Sequence, residues 1–399
     1  MIPHISVAIA GGGVVGLSIA QELAAAPELK RVLNRGVAVF EKGKTLGEGQ
    51  SGHNSGVIHA GIYYQPGSLK AMLCVEGRER LKLYSTLHDI PWFETGKLIV
   101  ATELKEELSL ETYLQRALAN GLREGEDIAL ITRTEAKSLA PHIECIAALY
   151  SKRTGIIDAA SYIQALRRDA LRQGAEIFLQ QEIIDVRPTQ NYVEFDVKIP
   201  PHAQIQPQPV ETYRADYFVN AAGLFADKLA RMINPDFPHH IVPIRGEYCT
   251  YRLTREELSI HNLNIYPTPT TIKMGEREKT VLGIHLTPTF SLGSEGAYLG
   301  KTVLVGPSAC RVEHPEDFNS RRYAPDYFHE QAVKILPALR KEDLLPGYTG
   351  IRAALDNNDD FVFEPDQKYP RCLQIVGSDS PFLTASAAAG RYARKVLQL

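Results

Sequence analysis

The feature that most constrains this chain is the triplet Gly11-x-Gly13-x-x-Gly16, because of what flanks it. Ile5 to Ala10 is a short β-branched and apolar run that reads as a buried strand, and Val14 to about Ala25 reads as a helix. After a linker through Pro27 and Asn34, Gly36 to Glu41 is a second strand of the same buried kind, ending in a carboxylate. Strand, glycine turn, helix and strand form one βαβ unit of the dinucleotide-binding type. There the glycines permit a tight turn and close approach of a pyrophosphate, whose charge the helix N-terminal amides stabilise. Glu41 is placed to accept hydrogen bonds from ribose hydroxyls. A glycine triplet by itself also occurs in ordinary turns; the strand, the helix and Glu41 give this one its meaning.

The triplet does not separate NAD from FAD. The segment from Gly49 to Gly61, GQSGHNSGVIHAG, helps. It is too polar to bury and too long for a connector, and loops of that kind are usually functional. A hydrogen-bonding stretch directly after the ribose carboxylate suits the second phosphate and ribityl chain of FAD, which NAD lacks.

Further along, Ser68 to Leu87 has a helical pattern. Lys97 to Ala101 and Ala147 to Ile157 read as antiparallel strands flanking a helical stretch from Glu103 to Asn120. A helix from Ser161 to Arg172, a strand from Glu176 to Leu179 and a strand from Tyr213 to Asn220, ending at Ala221-Ala222-Gly223, return to the first domain. The Pro- and Gln-rich segment from Pro200 to Pro209 reads as an exposed loop or hairpin tip. Alternating strands from about Ile241 to Val305 precede a helix at Tyr327 to Leu339, and a strand at Gln374 to Val376 precedes a small-residue helix at Leu383 to Val396. The expected fold is α/β: a Rossmann-like domain of residues 1–90, 158–235 and 345–399, interleaved with an antiparallel-sheet α+β substrate domain of residues 91–157 and 236–344.

The charge balance of 44 basic against 47 acidic residues offers no polyanion-binding surface, so nucleic acid is not an expected partner. Five scattered cysteines without a CxxC pair read as buried thiols in a reducing compartment rather than as metal ligands. No apolar run approaches the roughly 20 residues that span a bilayer. The first strand begins almost at Met1, leaving no room for a targeting peptide. A cytoplasmic protein is expected, with peripheral membrane contact left open.

Longer stretches carry a family resemblance: SGHNSGVIHAGIYYQPGSLKAMLCVEG from Ser51, GKLIVATE from Gly96, NAAGLFAD from Asn220, IVPIRGEY from Ile241, LGIHLTPT from Leu282, LVGPSA from Leu304, GYTGIRAAL from Gly347 and DDFVFE from Asp359. The chain resembles the D-amino-acid-oxidase superfamily of FAD-dependent oxidoreductases, and within it the L-2-hydroxyglutarate dehydrogenase or oxidase family. The resemblance implies a glutathione-reductase-type FAD-binding domain and oxidation of L-2-hydroxyglutarate, or a close 2-hydroxy acid, to the 2-oxo acid; whether oxygen, a quinone or a protein takes the electrons is left open by the sequence. The alternatives are an amino-acid or glycerol-phosphate oxidoreductase and a non-catalytic flavin-binding subunit. The residues expected to hold FAD are Gly11, Gly13, Val15, Gly16, Glu41, Lys42, Ser51, His53, Asn54, Ser55, Gly56, Val186, Ala222, Gly223, Gly350, Arg352, Leu383 and Thr384. One segment departs from the family pattern, with Gly377-Ser-Asp-Ser-Pro381 standing where relatives have Asn-Ala-Pro-Ser-Pro or similar.

Oxidising a 2-hydroxy acid requires a hydride acceptor, a base for the hydroxyl proton, a cation for the carboxylate, and donors for the electron-rich flavin. Two histidines compete as base, His59 in the cofactor loop and His285 on a strand. His59 also resembles in placement the histidine that some relatives attach covalently to FAD. Arg352, after a glycine break at Gly350, is the first candidate for the carboxylate, its alternative being a structural bridge to Asp359 or Asp360. Arg245 is a second candidate cation. Tyr63 and Tyr64 both have hydroxyls that would suit substrate, and extended structure points only one of them inward. Thr384, at the start of the last helix, is expected to bring amides and a positive dipole end to the flavin.

Overall fold

The computed structural model describes residues 2–29, 31, 33–200, 209–274, 277–294 and 296–399; the 201–208 part of the expected Pro- and Gln-rich loop lies outside them. The chain forms two compact units. One comprises Met1–Gly52, Ala159–Pro243 and Arg352–Leu399, and the other His53–Asp158 and Ile244–Ile351.

The first unit is built on an eight-stranded sheet. Its centre is parallel: Cys372–Val376, Val210–Asn220, His4–Ala10, Val37–Glu41 and Glu176–Leu179 lie side by side in that order. The strands His4–Ala10, Val37–Glu41 and Cys372–Val376 are buried along both faces over most of their length, which is why they read as apolar runs. Ala8, Ala38 and Phe40 on one face pack with Val186, Phe195 and Leu229. On the other, the helix Val14–Ala25 approaches so closely that a Cβ on Gly16 would stand 3.2 Å from the Ile9 side chain. That helix also meets the last one, Phe382–Val396, whose small residues allow contact: Ser18 Oγ donates to the Ser386 carbonyl at 2.5 Å, and a Cβ on Gly390 would collide with the Ser18 carbonyl. Glu182–Pro188 and Val193–Lys198 form an antiparallel ladder with the early part of Val210–Asn220. The two hairpin strands were not among the expected elements, although Val193, Phe195 and Val197 alternate with polar residues at the two-residue period of a half-buried strand.

The second unit is organised by a nine-stranded, mostly antiparallel sheet. Side-chain alternation along each strand sends residues to two separate cores. Leu98, Val100, Ile265 and Leu286 join one core, which the helix Pro325–Ala332 covers through Phe328 and Ala332. Ile99, Ala101 and Tyr266 join the other, with Leu110 and Leu114 of the helix Glu107–Ala119. Ala60, Ile62 and Tyr63 belong to that second core. Residues 53–90 therefore cluster with this unit, whereas the sequence reading set the boundary at residue 90. The helix expected over 327–339 ends at Ala332, five residues before Pro337, which excludes helical geometry from the residue preceding it. The strand Ile128–Thr132 and the helix Arg133–Leu139 are further elements the periodicity did not reveal.

Candidate cofactor cradle and buried basic cluster

The glycine turn of the first unit is built as a cradle. Gly11 takes φ +109°, and a Cβ there would stand 2.4 Å from the Ala221 carbonyl oxygen, so the turn presses against the end of the neighbouring parallel strand. A Cβ on Gly13 would lie 2.8 Å from Ser51 Oγ, and that hydroxyl accepts from the Val14 amide at 3.1 Å. A Cβ on Gly16 would meet the Gly11 carbonyl at 2.0 Å. The helix that follows has neither a side-chain cap nor an acidic residue in its first turn, which leaves its positive end suited to an anion. Glu41 is fixed by both oxygens, accepting from Gly12 N at 2.7 Å and Gly43 N at 2.6 Å, at the carboxyl end of its strand. These residues fit the pyrophosphate and adenosine ribose of FAD.

Around this turn, Ala221 N donates to Ala10 O, and Gly223 adopts φ +57° beyond Ala222. The Lys42 ammonium lies 3.5 Å from the centre of the Phe225 ring. Val15 is buried on the helix and Val186 in the sheet core, so Val186 has only its backbone to offer a ligand. Leu383 and Thr384 stand in the first turn of the last helix, which also has no side-chain cap or acidic residue there.

The loop residues His53, Asn54, Ser55 and Gly56 belong to the second unit. Asn54 Oδ1 accepts from Gly56 N at 2.8 Å, and the Asn54 carbonyl accepts from the Tyr348 hydroxyl at 2.7 Å. Gly350 needs correction. It lies inside the continuous strand Leu345–Leu355, not at a break, and a Cβ there would stand 2.0 Å from the His53 carbonyl oxygen. Its bare backbone serves that approach.

The second unit brings both candidate histidines into one buried cluster. Lys97, Tyr266, His285 and Thr287 share the sheet face of Ile99 and Ala101, and the segment carrying His59 and Tyr63 covers it. The His285 ring stacks on Tyr266 at 3.8 Å, and Nδ1 faces the Gly283 carbonyl at 3.1 Å. A proton on Nδ1 for that bond leaves Nε2 as the basic nitrogen of the neutral ring. The His59 backbone is braced by Cys74 Sγ at its own carbonyl, 3.4 Å, and by Arg78 at the Ala60 carbonyl, 2.8 Å. Burial, the Lys97 charge and the second imidazole all disfavour protonation of His59 and hold it well below the usual histidine range. Tyr63 is buried, and its hydroxyl has no hydrogen-bond partner among the described residues. Tyr64 is half-buried, with its ring 6.5 Å from that of His59.

The family model described as FAD dependent oxidoreductase, or DAO, matches residues 6–395. The chain belongs to that family. Its cofactor is FAD. It is similar to the mitochondrial L-2-hydroxyglutarate dehydrogenase of Nematostella vectensis, 32% identical over 97% of this chain and 89% of that one. It is also similar to the L-2-hydroxyglutarate dehydrogenase of Indibacter alkaliphilus, 30% identical over 96% of both. Among solved structures it resembles FAD-bound L-alpha-glycerophosphate oxidase from Mycoplasma pneumoniae, with TM-score 0.81 and 25% identity over 99% of this chain and 95% of that one. Glycine oxidase from Geobacillus kaustophilus shares the fold, with TM-score 0.75 over 99% and 95%.

Two arginines of this DAO-family chain part ways. Arg245 is only 1% exposed and is saturated: Nε donates to Glu247 at 3.0 Å, and the remaining nitrogens reach Asp317, Ser320 and the Arg321 carbonyl. It is a structural cation, and its expected role as a second substrate cation is corrected. Arg352 is half-buried and makes no ion pair among the described residues, so neither Asp359 nor Asp360 bridges it. Sequence reasoning missed Lys97. It is fully buried, its amine has no hydrogen-bond partner among the described residues, and burial pulls it down to about 7 against a smaller upward pull from Cys74. A charged residue opening the otherwise apolar run Lys-Leu-Ile-Val-Ala was the available signal. No helix is long and apolar enough to cross a membrane among the described residues, and all five cysteines are free thiols.

Proposed function

We propose that this chain oxidises L-2-hydroxyglutarate, or a close 2-hydroxy acid, to the 2-oxo acid. The observation that carries this is the likeness, over nearly the whole chain, to L-2-hydroxyglutarate dehydrogenases of separate organisms. In this reading the first unit is the glutathione-reductase-type FAD-binding domain and carries Arg352, and the second supplies the histidines and tyrosines that meet substrate. The glycine turn, Glu41 and Ser51 hold the dinucleotide portion. When bound, FAD supplies the two-electron acceptor that takes the Cα hydride at N5. Arg352 holds the substrate α-carboxylate with its planar fork, which fixes which hydrogen of Cα is presented. His59 takes the hydroxyl proton at a ring nitrogen as the carbonyl forms, and its environment keeps that ring in the neutral state the step needs. Tyr63 or Tyr64 donates to a substrate oxygen, and the first-turn amides of the last helix favour the negative charge that the flavin gains. His285 is the second reading for the base, because its contact with the Gly283 carbonyl fixes the tautomer. Oxygen and a quinone are the acceptors to be compared.

The test is anaerobic bleaching of the purified holoprotein. (S)-2-hydroxyglutarate should bleach the flavin and its mirror image should not, and FAD should be released by acid, which excludes covalent attachment at His59. Oxidation of glycerol phosphate, the second substrate reading, rests on the likeness to glycerophosphate oxidase; faster bleaching by it, or by an amino acid, would displace the first. Gly13→Val should abolish FAD retention. Arg352→Met should lower kcat/KM by about a hundredfold to several thousandfold, the equivalent of about 3 to 5 kcal/mol, with FAD content intact, and Arg352→Lys should recover little. His59→Gln and His285→Gln, compared by reduction rate, separate the two bases.

A further inference from the structure

Three basic groups, Lys97, His59 and His285, meet in the cluster of the second unit, and among the described residues no carboxylate is one of the charged groups that act on Lys97. The Lys97 side chain extends from the first position of its strand onto the face of Ile99 and Ala101, and none of it is exposed. Its amine lies 3.8 Å from the centre of the Tyr266 ring and 5.2 Å from that of Tyr63. The Tyr266 ring in turn carries the His285 imidazole at 3.8 Å. Ring faces attract a cation but do not compensate it as a carboxylate does. Such a cluster does not hold two protonated groups together, because like charges in a dry site repel strongly. A single proton settles on one member.

We propose that Lys97 is a positioning residue of the oxidation: it holds the one proton that the buried cluster carries and so leaves the His59 ring neutral to receive the substrate's hydroxyl proton. The inference rests on the reading of His59 as the base. The substrate O–H bond breaks, its proton bonds to an imidazole nitrogen, and nothing is transferred to or from Lys97 in that step. Groups facing the amine from neighbouring elements are consistent with this division. Cys74 on the helix Leu69–Leu87, Tyr63 on the covering segment with Tyr113 behind it, Tyr266 on the strand Asn264–Pro267 and His285 on the strand His285–Gly293 include no acid that is ionised at neutral pH, and the Arg78 guanidinium of that helix is balanced by Glu79 at 2.6 Å. Burial keeps the Cys74 thiol protonated by pushing it up to about 12, and it pushes the Tyr63 phenol well above its ordinary value.

The experiment is a histidine-ring NMR titration of the FAD-loaded, substrate-free protein, with the His59 signal assigned by its loss in His59→Gln. In the wild type His59 should stay neutral to well below pH 6.5. In Lys97→Met and Lys97→Gln its midpoint should rise by about one pH unit, a tenfold gain in proton affinity, and the acid limb of kcat/KM should rise with it. Lys97→Arg, which keeps the charge, should leave the midpoint low. An unchanged His59 midpoint in a neutral variant that retains FAD and melts cooperatively overturns the proposal, since a purely structural lysine would alter Tm alone. Lys97→Gln, which keeps length and a polar tip, serves where the Met variant does not fold. If His59→Gln reduces its flavin at the wild-type rate, the base assignment fails, whereas the proposal about Lys97 is overturned only by the titration.

Discussion

Two buried cations of the second unit are answered in opposite ways. Arg245 sits in a closed network in which Glu247, itself 0% exposed, and Asp317 balance its charge, while Ser320 and the Arg321 carbonyl take its remaining donors. Glu247 is satisfied in turn by the Tyr323 amide at 2.7 Å. Lys97 has two aromatic faces and no hydrogen bond among the described residues. Desolvating a charge costs several kcal/mol unless it is paired, so the paired arginine is structural, whereas the lysine gives up its proton near neutral pH. Saturation marks a group that holds the fold, and a buried charge left without an anion marks one whose protonation state responds to its surroundings.

The contrast is broken most severely at Arg245. Arg245→Met leaves the buried Glu247 carboxylate with the more distant Arg322 guanidinium, 3.9 Å away, in place of its close partner and should cost about 3 to 5 kcal/mol of stability, read by denaturant unfolding of the holoprotein. A loss below about 1 kcal/mol would show that the network is not what holds this part of the sheet. The Lys97 side is sharpened by pH. A lysine whose folded-state value is lowered to about 7 binds fewer protons folded than unfolded above that pH, so wild-type stability should rise with pH, by about 1.4 kcal/mol per unit for one proton. The burden is complete below pH 7. Above about pH 8.5 the buried thiols, Cys74 among them, act in the other direction because they stay protonated in the fold after the unfolded chain has lost those protons. Subtracting the curve of Lys97→Met removes that contribution, and the difference should climb between pH 7 and 8.5 by about 2 kcal/mol. A flat difference would mean that Lys97 is paired in solution. The smallest effect is expected at Tyr63. Tyr63→Phe deletes a buried hydroxyl with no hydrogen-bond partner among the described residues, so stability should change by less than about 1 kcal/mol, while KM rises about three- to tenfold if that hydroxyl meets substrate. An unchanged KM would transfer the role to Tyr64.

The cradle was legible residue by residue, since a glycine turn between a buried strand and a helix has few uses, and the helix expected over Val14 to Ala25 spans those residues. Ser51 lies in the polar loop that was read as a cofactor segment, and what the structure adds is its hydroxyl at the Val14 amide. Arg245 and Lys97 were not legible in the same way. Lys97 is the one charge of an apolar strand and Arg245 shares its strand with Glu247, but the contacts that complete each environment are 72 residues away in one case, at Asp317, and 169 residues away in the other, at Tyr266.

Periodicity and turn chemistry are local, and they settled that this chain carries a βαβ cofactor turn, buried parallel strands at its start and a small-residue helix at its end. Stretches of sequence long enough to compare settled its family. The tertiary structure decided which charges are compensated: it closed Asp317 and Glu247 around Arg245, placed Gly350 against the His53 carbonyl, and put Lys97, Tyr266 and His285 on one face of a sheet whose strands come from distant parts of the chain. The physical reason is that a proton's affinity depends on every charge and dipole within a few ångströms in space, and distance along the chain does not encode that neighbourhood.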